Sequence, residues 1–80
     1  MLTGEQIRAA RALLRMEQAA LAEASGISVP TIKRLEAQSG PISANTATEA
    51  ALRRALAEAG AILIDENGEG PGVRLRKNRD

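Results

Sequence analysis

Apolar positions recur at helical spacing through the first sixty residues of the chain. Thr3 and Gln6 have the spacing of a capping box, in which each side chain bonds the other residue's backbone N–H at a helix start. A first helix is therefore predicted over residues 4–14. Its apolar stripe, at i, i+3, i+6 and i+7, consists of Ile7, Ala10, Leu13 and Leu14.

Two short helices separated by a sharp turn come next. Gly26 closes a helix predicted over residues 18–24, because glycine readily adopts the left-handed conformation that ends helices. Ser28 is the predicted cap of a third helix, residues 29–37. Pro30 falls in its first turn, where the missing N–H is not needed, but the residue before a proline avoids the α region. The effective start of this helix is therefore expected at Pro30.

A fourth helix completes the helical part of the chain. Thr46, with Glu49 at the capping-box position, predicts its start, and Gly60 predicts its end. The region 1–60 is therefore predicted to be a mainly α domain, a compact bundle of four or five short helices.

The last twenty residues have a strand pattern instead. Ile62-Leu63-Ile64 is a short β-rich run, Val73-Arg74-Leu75-Arg76 alternates at period two, and Asn67-Gly68 between them is a turn signal. We expect a β-hairpin with a basic tail over residues 61–80. The basic residues either keep an exposed edge strand soluble or reach a DNA backbone; they are Arg74, Arg76, Lys77 and Arg79.

The composition excludes several function classes. The 80 residues include no Phe, Tyr, Trp, His or Cys, and the net charge is +1. Without imidazoles or thiols, the common transition-metal ligands, disulfides and Cys or His nucleophiles are absent. Without aromatic rings, the usual stacking platforms for single-stranded nucleic acid are also absent. We therefore expect no enzyme, no cofactor, no metal site and no small-molecule ligand.

Membrane association is not expected either. No apolar run approaches the ~20 residues of a membrane span, and the N-terminus lacks a basic-then-apolar signal pattern. The expected location is the cytoplasm, on the nucleoid when DNA is bound.

The two short helices around Gly26 form a helix-turn-helix arrangement. Residues 18–36 follow the pattern Gln-x-x-Leu-Ala-x-x-x-Gly-(apolar)-Ser-x-x-Thr-Ile-x-x-x-Glu at every fixed position. In this the chain resembles the Cro and phage-repressor type of helix-turn-helix, the XRE family, over residues 3 to about 60. The resemblance implies a lambda-repressor-like bundle that binds double-stranded DNA.

The same resemblance implies roles for individual residues. Gln18 would bind phosphate at the start of the second helix, and the exposed face of the third helix would meet base edges. Arg11 and Glu36 match a family ion pair that ties the first helix to the end of the third. The implied DNA-binding set is Gln18, Ser28, Val29, Pro30, Thr31, Lys33, Arg34 and Gln38.

Two residues depart from the family pattern. Arg15 stands where the family has Gly or Asn, and Glu17 stands where it has a capping Ser or Thr. Arg15 is expected to adopt a left-handed conformation at a cost of about 1 kcal/mol. The chemistry of the third helix fits DNA regardless, because an Arg such as Arg34 can fork onto guanine O6 and N7. A solvated basic face is the alternative interpretation of Lys33-Arg34.

The expected function is a bacterial repressor that binds a palindromic operator as a homodimer. An antitoxin that represses its own operon and neutralises a toxin is the alternative within DNA binding. A protein-interaction module without DNA binding is the alternative of another class. Because a lone hairpin with two apolar faces is marginal in water, the dimer interface is predicted on the hairpin, at Ile62, Leu63, Ile64, Val73 and Leu75.

Overall fold

The computed structural model describes residues 1–77, so Arg79 of the predicted tail lies outside the described part. These residues form four helices followed by one antiparallel two-stranded sheet. The elements are α1 (Gly4–Leu14), α2 (Gln18–Ser25), α3 (Val29–Glu36), α4 (Thr46–Ala59), β1 (Ala61–Ile64) and β2 (Gly72–Leu75). The order confirms the predicted mainly α bundle with a C-terminal β-hairpin.

The first helix begins as predicted and ends in strain. Thr3 Oγ1 accepts the Gln6 N–H at 3.0 Å, and Gln6 Oε1 accepts the Thr3 N–H at 3.0 Å, so the capping box is complete. Arg15 follows the helix at φ 55° and ψ 44°, the expected left-handed conformation. Leu13 was placed in the apolar stripe, but 42% of it is exposed. It lies about two turns after Gln6 on the same side of the helix, toward the hairpin, whose short strands leave it partly uncovered.

Two predicted helix starts are wrong by one residue. The cap of α4 is Asn45, whose Oδ1 accepts the Thr48 N–H at 2.7 Å, and Thr46 is already helical. Glu49 does not complete a capping box, because its carboxylate accepts the distant Leu2 N–H at 3.0 Å. Helix α3 begins at Val29 rather than at Pro30, since Ser28 caps the helix and thereby holds Val29 in it.

The core is aliphatic throughout. It lies between α1 and the other three helices, with Leu2 packed beneath and Ala61 of β1 closing one end. Fully burying one such Leu or Ile side chain stabilises the fold by about 1.5–3 kcal/mol. The largest fully buried side chains are Leu2, Ile7, Leu21, Ile32, Leu35, Leu52 and Leu56.

The hairpin packs one face on the helices and presents the other outward. Ala61 pairs with Leu75 and Leu63 pairs with Val73, so these four share a face because directly opposed residues lie on one side of a sheet. Ala61 is buried, and Leu63 and Val73 pack against the core. The outer face carries the other apolar residues of β1, namely half-buried Ile62 and Ile64, which is 37% exposed.

The buried amide of Gln6 anchors the hairpin to α1. Its Nε2 donates to the carbonyl oxygens of Ile64 and Gly72, both at 3.0 Å, while its Oε1 completes the cap at Thr3. One side chain therefore joins the start of the first helix to the loop end of both strands.

Helix α1 separates the hairpin from the helix-turn-helix. Gln6 bonds the hairpin, whereas Arg8 and Arg11 both bond Glu36 at the end of α3. Gln6 and Arg8 lie about 200° apart around the helix axis. The hairpin and α3 therefore pack on opposite sides of α1.

Candidate nucleic-acid interface

The recognition helix α3 is capped within its own first turn. Ser28 Oγ accepts the Thr31 N–H at 3.3 Å and donates to Thr31 Oγ1 at 2.9 Å. Pro30 occupies the first turn, where its fixed φ favours the helix and no N–H is lost from the ladder. The N-terminal end of α3 is therefore fixed before any ligand is bound.

The two faces of α3 differ completely. Ile32 and Leu35 are fully buried and hold the helix against the core. Lys33 and Arg34 are exposed, and neither forms an ion pair within residues 1–77. Arg34 therefore presents an uncommitted guanidinium on a fixed backbone, the arrangement that bidentate recognition of guanine requires.

The remaining residues of the predicted DNA-binding set lie around α3. Val29 is half-buried and Pro30 is exposed, so the start of the helix offers apolar contact. Gln38, two residues past the helix, is half-buried, and its Oε1 accepts the Ser43 N–H at 2.6 Å. Only its amide nitrogen remains available to a ligand.

The turn between α2 and α3 is built by Ser25 and Gly26. Gly26 adopts φ 76°, the left-handed conformation that the sequence predicts there. Buried Ser25 donates to the Leu21 carbonyl at 2.7 Å and accepts the Ile27 N–H at 3.1 Å. This hydroxyl fixes the angle between the two helices. The sequence analysis took Ser25 only as part of the helix end.

Glu36 joins α1, α2 and α3 through one buried carboxylate. Arg11 contacts it twice, from Nε to Oε2 at 2.5 Å and from Nη2 to Oε1 at 2.9 Å. Gln18 Nε2, at the start of α2, donates to the same Oε1 at 3.0 Å. The bond donated to Glu36 raises the pKa of Arg11 above its usual value, so the guanidinium stays charged.

Gln18 was expected to bind phosphate, and its side-chain amide is already bonded to Glu36. What α2 leaves open is backbone: Glu17 provides no side-chain cap, and the first N–H groups, of Gln18 and Ala19, have no partner within residues 1–77. These groups carry the positive end of the helix dipole. Gln18 therefore positions the start of α2 against α3.

Arg8 is a residue of this region that the sequence analysis missed. Its Nη1 donates to the main-chain carbonyl of Glu36, at the C-terminal end of α3. The signal was available, since Arg8 and Arg11 are three residues apart and therefore neighbours on one side of α1. The two arginines hold the recognition helix by its backbone and by its last side chain.

A helix-turn-helix family model matches residues 7–52 of the chain. The match runs from the first turns of α1 to the middle of α4, and it includes both helices around Gly26. The chain belongs to the XRE-type helix-turn-helix family. It is thereby a DNA-binding transcriptional regulator, of a family that is generally not enzymatic. No curated protein matches the sequence.

The family match leaves the hairpin unexplained, because β1 and β2 both lie beyond residue 52. Within residues 1–77, no helix is long and apolar enough to cross a membrane. The same residues contain no cluster of three carboxylates suited to a metal ion.

Proposed function

We propose that this XRE-type regulator represses transcription by occluding a promoter, with α3 reading base edges in the major groove. The observation that carries this proposal is the pair of exposed, unpaired basic side chains on α3, Lys33 and Arg34. A solvated face is usually built from charges of both signs, whereas this face is basic and rests on a fully anchored helix. Residues 1–60 would form the DNA-binding part.

The contacts would divide between bases and phosphates. Arg34 would fork onto a guanine, and Val29 with Pro30 would pack against a thymine methyl group. The open N–H groups at the start of α2 would bind a backbone phosphate. Ser28, Thr31 and Gln38 flank α3 and would contact the sugar-phosphate backbone.

The proposal includes a homodimer formed by the arm at residues 61–80. The molecule measures 33 × 32 × 19 Å, so one copy spans about one half-site, and half-sites are ~34–36 Å apart. Support comes from the outer hairpin face, where Ile62 and Ile64 have no cover within the described chain. Two such faces packed about a two-fold axis would bury both isoleucines and leave Leu75 at the rim. The matching operator would be a palindrome.

Binding selection from random duplexes tests the DNA contacts. The parent is expected to enrich one palindromic sequence, and Arg34→Ala should lose affinity by about 1–3 kcal/mol and relax selection at one position per half-site. Arg54→Ala is the matched control, because Arg54 is an exposed arginine on α4. Enrichment of no sequence by the parent, or of an unchanged sequence by Arg34→Ala, would contradict the proposal.

Light scattering tests the dimer. Ile64→Lys places a charge on the outer face and is expected to give a monomer, while Ala50→Lys, on an exposed position of α4, should remain dimeric. Point variants are preferable to truncation at Gly60, since removing buried Ala61 would open the core. A monomeric parent at tens of micromolar would contradict this part of the proposal.

A further inference from the structure

The second strand has a free hydrogen-bonding edge. The Arg76 N–H donates to the Gly60 carbonyl at 2.7 Å, which makes residues 60 and 76 a hydrogen-bonded pair of the ladder. Because such pairs alternate along antiparallel strands, the main-chain groups of Val73 and Leu75 point away from β1. No third strand lies beside them in residues 1–77. Unpaired edges of this kind accept extended segments.

Apolar side chains flank this edge on the face toward α1. Leu75 is 47% exposed and Leu13 is 42% exposed, and both lie on the side where α1 and β2 pack. A groove continues from them along the strand, between Ala9 of α1, Pro41 and Val73. A strand added to β2 would direct every second side chain into this apolar region.

The opposite face of the same edge is basic. Arg74 and Arg76 alternate with Leu75, so their side chains lie on the outer face, and both are exposed. Neither forms an ion pair within residues 1–77. The other side chains of an added strand would therefore lie beside two uncompensated positive charges.

This charge pattern excludes a second copy of β2 as the occupant. Pairing β2 with β2 of another copy would place Arg74 and Arg76 of both chains side by side. Like charges on adjacent strands destabilise the pairing. The outer face proposed for the homodimer is a different surface, centred on β1.

DNA bound to α3 also leaves the edge accessible, because the hairpin lies across α1 from the recognition helix. An occupant at β2 would therefore be compatible with an occupied operator.

We propose that the free edge of β2 binds an extended segment of a partner protein in which apolar and acidic residues alternate. The segment adds a third strand, with main-chain hydrogen bonds to Val73 and Leu75. Its apolar side chains face Leu13 and Leu75, and its carboxylates face Arg74 and Arg76.

The test uses two fluorescein-labelled octapeptides, one alternating Val with Glu and one alternating Val with Lys. Fluorescence anisotropy with the full chain is expected to show at least ten-fold tighter binding of the Glu peptide. Amide hydrogen exchange of the parent should slow at Val73 and Leu75 when that peptide is bound. Equal affinity for the two peptides, or unchanged exchange at both amides, would overturn the proposal.

Variants separate strand addition from simple charge attraction. Leu75→Pro removes an N–H that makes no bond within the hairpin, so the fold should persist while peptide affinity falls at least ten-fold. The double variant R74E/R76E should prefer the Lys peptide, and Arg54→Glu, the same charge change on α4, should behave as the parent. Thermal unfolding of each variant verifies that it is folded. Undiminished binding by folded Leu75→Pro, or an unchanged preference in R74E/R76E, would refute strand addition with this specificity.

Discussion

Replacing Glu36 by alanine would remove the one carboxylate that joins three helices. In the parent, this side chain accepts two hydrogen bonds from Arg11 and one from Gln18. The substitution leaves the Arg11 guanidinium without its counter-charge and the Gln18 amide without its acceptor. The bond from Arg8 is retained, because it ends on the main-chain carbonyl of residue 36.

The magnitude follows from burial. Breaking a fully buried ion pair costs about 3–5 kcal/mol, because a charge remains without a partner in a medium that solvates it poorly. The side chain of Glu36 is 5% exposed and that of Arg11 is 20% exposed. Water can therefore reach part of the orphaned guanidinium, which favours the lower end of the range, about 3 kcal/mol. In a domain of this size, that loss corresponds to a fall in Tm of roughly 12–24 °C.

Urea and thermal unfolding measure the effect against a matched control. Glu23→Ala removes an exposed glutamate of α2 that has no ion pair within residues 1–77, so its free energy of unfolding should change by no more than about 0.5 kcal/mol. Equal midpoints for Glu36→Ala and Glu23→Ala would show that the pair behaves as a surface contact, and the reasoning from burial would fail.

Backbone conformation and charge predict three other outcomes. Arg15→Gly should raise the free energy of unfolding by about 1 kcal/mol in urea, because glycine adopts φ 55° without strain. Gly4→Ala should destabilise the fold far more than Gly70→Ala, since a Cβ on Gly4 would lie 2.2 Å from a main-chain oxygen of the α3–α4 loop, whereas one on Gly70 meets nothing. The hydrogen bond from Arg53 holds the pKa of Asp65 below its usual value of 3.8, so an NMR titration should give a midpoint below 3.8 that Arg53→Met restores. Because that pKa is lowered by folding, the stabilisation from Asp65 is present above 3.8 and is lost as the pH falls through the lowered value.

Each of these outcomes can be contradicted directly. A destabilised Arg15→Gly would mean that the arginine side chain contributes more than its backbone strain costs. Similar unfolding midpoints for Gly4→Ala and Gly70→Ala would mean that the α3–α4 loop yields easily. A titration midpoint for Asp65 that ignores Arg53→Met would assign the lowered pKa to another cause.

The parts of the fold predictable from sequence are those determined by neighbours along the chain. The cap at Thr3, the left-handed turn at Gly26 and the period of the core positions in α3 depend on residues within one turn of each other. The helix-turn-helix could be identified for the same reason, since its fixed residues all lie in one stretch of nineteen, residues 18–36.

The parts that were missed depend on distant contacts. Asn45 and Thr46 are both good caps, and the choice between them follows Glu49, whose carboxylate is taken by the N–H of Leu2, 47 residues away. Helical periodicity likewise could not show that Leu13 faces a strand too short to cover it.

The candidate interface divides in the same way. Lys33 and Arg34 are exposed because their neighbours on α3 are buried, which a helical wheel predicts. The bond from Gln18 to Glu36 joins two helices through a third, and Arg8 reaches α3 across 28 residues. A single sequence gives the spacing of such residues but not their meeting.

The amide of Gln6 has a consequence for how the molecule opens. Its two donors bond the hairpin across 58 and 66 residues of sequence, and its oxygen closes the first turn of α1. If the hairpin detached alone, both donors would lose their partners in a site that is 2% exposed. The last residues of the chain and the first turn of the first helix should therefore open as one cooperative unit in native-state hydrogen exchange, although they lie at opposite ends of the sequence.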